Sequence, residues 1–220
     1  NFANLPEILE KNHLPRANGL LLDLGMSSDE LENSGRGFSF NRDEALLMTY
    51  SDQQKPVKQL LRELTKEELT KIIGDYSGER WAQKIAQAIK DYQKKKPIET
   101  SKELSEIIVK AVPRHYERGR IHPATRTFMA LRIYANQELE NLESILKNLE
   151  KILLPKGRIV IISFHSLEDR LVKTYFRNLA RMEKLELMTK KPITPNKKEI
   201  LNNPRSRSAK LRAAIIVDPI

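Results

Sequence analysis

Two short apolar runs, each ending in a polar turn, constrain the fold of this chain most. Residues 19–25 read GLLLDLG, and residues 158–165 read RIVIISFH. Continuous apolar runs of this length are typical of strands that are buried on both faces. Ser166, three residues before Asp169, has the spacing of a helix N-cap, so the second run predicts a strand, a tight turn and a helix. In an open α/β sheet such turns lie at the carboxyl edge, where ligands bind.

The chain between and after these runs is mostly amphipathic and predicts helices. Thr65 and Thr100 each begin a capping box, and glycine or proline follows most of the periodic segments. The predicted helices cover residues 57–64, from Thr65 to Gly74, 79–92, from Thr100 to Pro113, and from Pro123 to Gly157. A last strand is predicted at residues 212–217. This order indicates an α/β domain (1–50 and 120–220) with an all-helical insertion (51–119).

Composition excludes several classes of protein. No apolar run approaches the roughly 20 residues of a membrane helix, so no membrane association is predicted. The absence of cysteine excludes disulfides and thiolate metal sites and fits a cytoplasmic location. The four histidines form no H-x-x-x-H pair, so no metal is predicted, and the eight glycines form neither a Walker motif nor G-x-G-x-x-G. A Ser27–His165–Asp23 triad would lack the G-x-S-x-G elbow, which disfavours hydrolysis.

The charge of the chain favours a polyanionic partner. The formal net charge is +10. Prolines at 192, 195 and 204 predict a loop in the last quarter, where basic residues crowd together: Lys190, Lys191, Lys197, Lys198, Arg205, Arg207, Lys210 and Arg212. Such a loop is typical of a phosphate-contacting surface, although basic composition alone also fits a solvated lysine-rich face.

Five ordered blocks give the sequence a specific resemblance to a known family. They are GLLLDLGMSS (19–28), RGFSF (36–40), RIHPATRTFMALRIYANQEL (120–139), RIVIISFHSLEDRLVK (158–173) and NPRSRSAKLR (203–212). With these blocks the chain resembles the RsmH (MraW) family of bacterial 16S rRNA cytosine-N4 methyltransferases, which use S-adenosylmethionine. The resemblance implies a Rossmann-like class I methyltransferase sheet with an inserted helical domain, acting on 16S rRNA in the small ribosomal subunit.

Three departures from the family pattern accompany the match. The resemblance places the family's glycine-rich cofactor turn upstream of Asn1, so we expect a fragment without the amino-terminal strands that binds S-adenosylmethionine weakly or not at all. Glu30 stands where the family commonly has a cofactor-contacting Gln. Residues 44–50 read EALLMTY where the family typically reads GPLDMRM. The lost charge pair motivates an alternative: a non-catalytic rRNA-binding or ribosome-assembly protein on the same fold.

The resemblance also implies site residues. Phe2 resembles the family's adenine-side aromatic, and Asp23 and Glu30 are the other predicted cofactor contacts. Because the N4 lone pair of cytosine is delocalised into the ring, the site must hold acceptors against its two N–H bonds. Ser27 and Ser28 are predicted to supply them, with the alternative that both serines only cap the following helix. His165 is predicted to contact the base or a phosphate beside a stacked Phe164, with the alternative that it only holds its turn.

A further set of basic residues is predicted to contact RNA. It comprises Arg36, Arg120, Arg126, Arg205, Arg207 and Lys210. Arg132, which lies further into its helix, is predicted to form an internal ion pair instead. Another nucleic acid or a protein remains open as the methylated substrate, and the sequence leaves a homodimer open.

Overall fold

The chain divides into two compact units. The computed structural model describes residues 1–27, 29–30 and 33–217, with the backbone alone at 117 and 118. One unit comprises residues 1–25 and 139–220, and the other comprises residues 26–138. The predicted helical insertion, 51–119, lies within the second unit, which also includes the residues on either side of it. The predicted domain boundaries themselves stay a prediction.

The first unit contains a four-stranded mixed sheet. β1 (Ala17–Asp23) pairs in parallel with β2 (Leu153–Ser163). β4 (Lys210–Ile216) pairs antiparallel with β2 and with β3 (Leu185–Leu187), which gives the order β1–β2–β4–β3. The three predicted strands and the α/β class are thereby confirmed, although β2 begins earlier than its apolar run.

The predicted burial of the first two strands on both faces is wrong. β1 is an edge strand of the described sheet, and Leu21 is 65% exposed. Along β2, Ile159 and Ile161 are buried whereas Val160 and Ile162 are half-buried. Because successive side chains of a strand point to opposite faces, one face of each strand is covered and the other is partly open.

Helices cover the closed face of this sheet. The core of the unit is aliphatic and includes Ile145, Leu149, Ile159 and Phe176. The helical segments of the unit are Phe2–Asn4 (3-10), Leu5–Lys11, Glu138–Lys147 (from Leu139 onward), Leu149–Ile152, Ser166–Arg181, Lys197–Asn202 and Pro204–Ser208 (3-10). The last two segments lie in the predicted basic loop, which is therefore partly helical. None of the helices in the described part of the chain is long and apolar enough to span a membrane.

The second unit is helical over most of its described length. Its helices are Val57–Glu63, Lys66–Ser77, Ala82–Gln93, Ser101–Ala111, Tyr116–Gly119 (3-10) and Ala124–Asn136. The Thr65 hydroxyl accepts the Glu68 N–H, and the Glu68 carboxylate accepts the Thr65 N–H, which confirms the predicted capping box. Leu61, Ile85 and Leu131 are among its fully buried core residues, and Trp81 packs against this core while half-buried.

Two predicted helix ends are wrong. The helix predicted to stop at Gly74 continues to Ser77 and ends before Gly78, whose φ of +64° is a left-handed conformation that favours glycine. The long helix predicted from Pro123 to Gly157 is broken at Gln137, whose φ is +51°. The helical spacing of apolar residues continues from one helix into the next, so this pattern does not predict a single left-handed residue between them.

Candidate functional site

Asp23 and the Phe164-His165 turn lie at the same edge of the sheet. Asp23 is paired with Ile162 across the parallel strands, and the Leu24 N–H donates to the Ile162 carbonyl at 3.0 Å. The turn after β1 therefore neighbours the turn after β2, as the sequence predicts. The Asp23 side chain is exposed at this edge, and its Oδ1 accepts the Gly25 N–H at 3.3 Å.

Gly25 allows the two turns to pack closely. A Cβ atom at this position would lie 2.7 Å from Cε2 of Phe164, closer than side-chain carbons pack. The ring of Phe164 thus lies against the turn that follows Asp23. The predicted stacking of Phe164 on a substrate base stays a prediction, and the observed packing gives the ring a structural role.

His165 caps the helix Ser166–Arg181, so the prediction of Ser166 as the N-cap is wrong. The Glu168 N–H donates to Nδ1 of His165 at 3.4 Å. The Glu168 carboxylate accepts the N–H groups of Phe164 at 2.8 Å and His165 at 3.2 Å. An imidazole nitrogen replaces the hydroxyl expected of a cap, which a search for Ser, Thr, Asp or Asn overlooks.

This geometry supports the structural alternative for His165, and its role in catalysis stays a prediction. The neutral ring carries its proton on Nε2, because Nδ1 accepts an N–H group. Nε2 lies 3.1 Å from Oε1 of Glu168, but the angles do not form a hydrogen bond with any described residue. The cap therefore uses Nδ1, while Nε2 is buried and forms no hydrogen bond with a described residue.

Asp169 joins the same helix to β4 through two cations. The Arg212 Nε–H donates to Oδ1 of Asp169 at 2.7 Å, and the Lys210 ammonium lies 3.4 Å from Oδ2. Burial raises the pKa of Asp169, but the hydrogen bond and charge of Arg212, aided by Lys210, outweigh it, so this pKa lies below its ordinary value. Lys210, a predicted RNA contact, is thus engaged in an ion pair within the protein.

Ser27 also takes part in a cap. Its N–H and its hydroxyl donate to Oε2 of Glu30 at 2.9 and 3.0 Å, and its Oγ accepts the Glu30 N–H at 3.0 Å. These bonds favour the capping alternative for Ser27, and they occupy one oxygen of Glu30, a predicted cofactor contact. Ser28, the other predicted acceptor, lies outside the described residues.

Arg36 holds the loop that departs from the family pattern. Its Nε–H donates to the Thr49 carbonyl at 2.6 Å, its NH2 group donates to the Thr49 hydroxyl at 2.9 Å, and its NH1 group pairs with Asp52 at 2.8 Å. Thr49 is 1% exposed. The guanidinium thus has a structural role inside the second unit, and an RNA contact at Arg36 stays a prediction.

Arg120 and Arg126, which flank the start of helix Ala124–Asn136, have different surroundings. Arg120 is exposed and has no hydrogen bond or ion pair with any residue that the structure describes. Arg126 lies 3.9 Å from Oε2 of Glu79, whose buried carboxylate also accepts hydrogen bonds from the Tyr116 hydroxyl and the Trp81 N–H. Of the two, Arg120 has the geometry expected of a phosphate contact.

The remaining predicted residues fall into two groups. Arg205 and Arg207 lie exposed in the 3-10 helix Pro204–Ser208, as an RNA-contacting surface requires. Phe2 is half-buried and packs against the core of the first unit. Because part of the Phe2 ring packs against this core, only the rest of its surface is free to contact an adenine.

Sequence reasoning missed a network that orders the loop before Val57. Nδ2 of Asn136 donates to the Met48 carbonyl at 2.8 Å, and Oδ1 accepts the Tyr50 N–H at 2.9 Å. Arg132 donates to both carboxylate oxygens of Glu138, at 2.8 and 3.0 Å, which confirms the predicted internal ion pair. Asn136 is 2% exposed, and neither the composition nor the apolar periodicity of the sequence predicts that an asparagine is buried here.

Comparisons with known proteins identify the family. The sequence profile of the MraW methylase family matches residues 1–216. The chain is 48% identical over 217 residues to "Ribosomal RNA small subunit methyltransferase H" of Persephonella marina, covering 97% of this chain and 73% of that protein. Proteins of the same name from Halothermothrix orenii and Thermotoga neapolitana are 44% and 45% identical, over 97% and 99% of this chain and 74% and 72% of theirs. With a match along nearly its whole length, the chain belongs to the MraW methylase family, whose members are class I methyltransferases.

Proposed function

We propose that this protein transfers a methyl group from S-adenosylmethionine to the N4 amino group of a cytosine in the 16S rRNA of the small ribosomal subunit, in its decoding centre. The observation that carries the proposal is the family match over residues 1–216. Relatives of the chain are named as methyltransferases of small-subunit ribosomal RNA. A formal net charge of +10 suits a polyanionic substrate of this kind.

Asp23 is the residue best suited to hold the cofactor. S-adenosylmethionine supplies an electrophilic methyl group on a positively charged sulfonium. The Asp23 carboxylate is exposed at the carboxyl end of β1 and accepts a single hydrogen bond among the described residues, from Gly25, so it can attract a cation or accept from a hydroxyl. Phe2 and Glu30 remain proposed contacts, and each already has a partner within the protein.

The Ser27 turn is proposed to orient the cytosine amino group. A hydroxyl oxygen has two acceptor lone pairs, and Ser27 uses one for the Glu30 N–H. The second lone pair, with backbone carbonyls of the same turn, can accept from the two N–H bonds and leave the nitrogen lone pair facing the methyl group. Because Ser27 is held by three hydrogen bonds to Glu30, this acceptor is fixed before substrate binds.

A methyl-transfer assay tests the proposal. The protein is incubated with undermethylated small subunits and with S-adenosylmethionine labelled on its methyl group, and the rRNA nucleosides are separated by mass spectrometry. We expect label in N4-methylcytidine, its loss in Asp23→Asn, and its retention in Asp91→Asn, an exposed acid of the helical unit. Label in another nucleoside would contradict the N4 assignment, and absence of label would contradict the activity.

One observation favours the second candidate, a non-catalytic rRNA-binding or assembly protein. Ser27 and His165, the described residues predicted for catalysis, are both engaged in helix caps. This candidate requires saturable binding to small-subunit rRNA without any methyl transfer. The same preparation therefore separates the two functions when binding and label incorporation are measured side by side.

A further inference from the structure

Tyr50 is an exposed aromatic residue on a rigid support. Its ring stacks on Phe38, with centroids 5.4 Å apart and planes inclined by 24°. Phe38 is 5% exposed, whereas Tyr50 is 44% exposed. One ring is therefore part of the core, and the other ring extends this stack to the surface. Tyr50 ends the EALLMTY segment.

Hydrogen bonds fix both ends of Tyr50. Its N–H donates to Oδ1 of Asn136 at 2.9 Å and lies 3.1 Å from Oε1 of Gln54. Its hydroxyl donates to Oε1 of Glu138 at 3.3 Å, and Arg132 in turn holds Glu138 through a bidentate ion pair. A tyrosine has only two side-chain torsions, so these contacts leave the ring little freedom to lose on binding.

A chain of hydrogen bonds connects Tyr50 to the Ser27–Glu30 turn. The Ser34 hydroxyl donates to the Glu30 carbonyl at 2.6 Å and accepts the Arg36 N–H at 3.3 Å, and the Arg36 Nε–H donates to the carbonyl of Thr49, the residue before Tyr50. Burial of the hydroxyl end and the charge of Glu138 raise the pKa of Tyr50, and the charge of Glu30 contributes in the same direction. The phenol therefore stays neutral across the physiological range, and its ring presents an uncharged aromatic face. Glu30 is the residue that fixes Ser27, the proposed acceptor for the cytosine amino group.

We infer that Tyr50 stacks on an unpaired base of the RNA substrate and holds it beside the Ser27 turn. This inference rests on the proposed function, because an enzyme that methylates a base within folded RNA must take the base out of its stack. Every base has an aromatic face, and single-stranded bases stack on exposed aromatic side chains. A base on the free face of Tyr50 would extend the Phe38–Tyr50 stack by one more ring.

The test compares variants at position 50 in methyl transfer to small subunits. Base–aromatic stacking contributes about 1–3 kcal/mol per base, so we expect Tyr50→Leu to lower kcat/KM for the subunit roughly 5- to 150-fold. Tyr50→Phe keeps the ring and should stay within about twofold of wild type, since a twofold change is under 0.5 kcal/mol. The KM for S-adenosylmethionine should not change in either variant. Tyr92→Ala, which removes a half-buried tyrosine of the same unit, is the matched control.

Photocrosslinking gives a readout independent of turnover. A small-subunit rRNA fragment carrying 5-iodocytidine at the methylated position is irradiated with the protein, and the crosslinked peptide is identified by mass spectrometry. A crosslink at Tyr50 that Tyr50→Leu abolishes supports the inference. Crosslinks elsewhere, or equal kcat/KM in Tyr50→Leu and wild type, overturn it while the proposed function stands. A wild-type protein that crosslinks at Tyr50 but transfers no methyl group overturns the proposed function and keeps the stacking contact.

Discussion

Replacing His165 tests what its imidazole does at the start of helix Ser166–Arg181. The Glu168 N–H donates to its Nδ1 at 3.4 Å, so alanine at position 165 removes this cap. We expect His165→Ala to lower the free energy of unfolding by about 1 kcal/mol, the usual cost of losing an N-cap side chain. Asparagine is a good N-cap, so His165→Asn should stay within about 0.3 kcal/mol of wild type.

Replacing Glu168 should cause a larger loss in the free energy of unfolding than replacing His165 in the same turn. Its side chain is 4% exposed and accepts the N–H groups of Phe164 and His165. Glu168→Ala leaves two partly buried donors without an acceptor, which should cost about 2 kcal/mol or more. Urea unfolding followed by far-ultraviolet circular dichroism gives the order. If His165→Asn is as unstable as His165→Ala, the imidazole does not act as a cap and the reasoning is refuted.

The asparagine variant also separates the cap from the chemistry. If Nε2 of His165 contacts the base or a phosphate, as the sequence predicts, a stable His165→Asn protein should still transfer methyl groups roughly 10- to 150-fold more slowly, because a hydrogen bond to a charged group contributes about 1.5–3 kcal/mol. Its affinity for S-adenosylmethionine should be unchanged. Single-turnover rates with saturating RNA that equal those of wild type would discard the substrate role and leave the cap alone.

Four further substitutions test the ion pairs, the basic surface and the Arg36 contact. Arg212→Met leaves Asp169 with Lys210 alone and should lower the free energy of unfolding by about 3 kcal/mol in urea titrations, whereas no loss would show that the pair is not stabilising. Because the pKa of Asp169 is lowered in the folded state, its stabilisation is complete above an unfolded pKa of about 3.9 and is lost as the pH falls through the folded value, so Asp169→Asn should flatten stability below about pH 4. Arg207→Ala should reduce the slope of log affinity for rRNA against log salt by about 0.7–0.9, with Lys94→Ala of the helical unit as control, and an unaltered slope would exclude a phosphate contact. Thr49→Val removes an acceptor from Arg36 and should cost about 1.5 kcal/mol in the same urea titrations.

The sequence predicts the strands of this fold well because their signal is local. GLLLDLG and RIVIIS are dense apolar runs that end in polar turns, and the structure pairs them in parallel with Asp23 opposite Ile162. The degree of burial depends instead on what covers each face. Leu21 lies in the middle of an apolar run and is 65% exposed, because the neighbours of a strand are not encoded in its own period.

The candidate site shows the same division between local and tertiary information. Ser27-x-x-Glu30 has the spacing of a capping box, and the structure forms it. The box at His165 and Glu168 has the same spacing, but the sequence assigns that cap to Ser166 because histidine is not among the usual cap residues. The engagement of Lys210 by Asp169 joins residues 41 positions apart, and no local pattern predicts it. Residue type therefore identifies which side chains are able to do chemistry. The tertiary structure determines which of them already form hydrogen bonds or ion pairs within the protein.

The EALLMTY segment, residues 44–50, combines buried residues with one exposed aromatic ring. Leu46, Met48 and Thr49 are each at most 1% exposed, so these three residues of the segment are packed as firmly as a core element. Gly37, with a φ of +77°, brings the chain so close that a Cβ would lie 2.5 Å from the Ala45 carbonyl oxygen. The hydrogen bonds from Arg36 to Thr49 hold this loop in place. Of the seven residues of the segment, Tyr50 is the one that places a large ring at the surface.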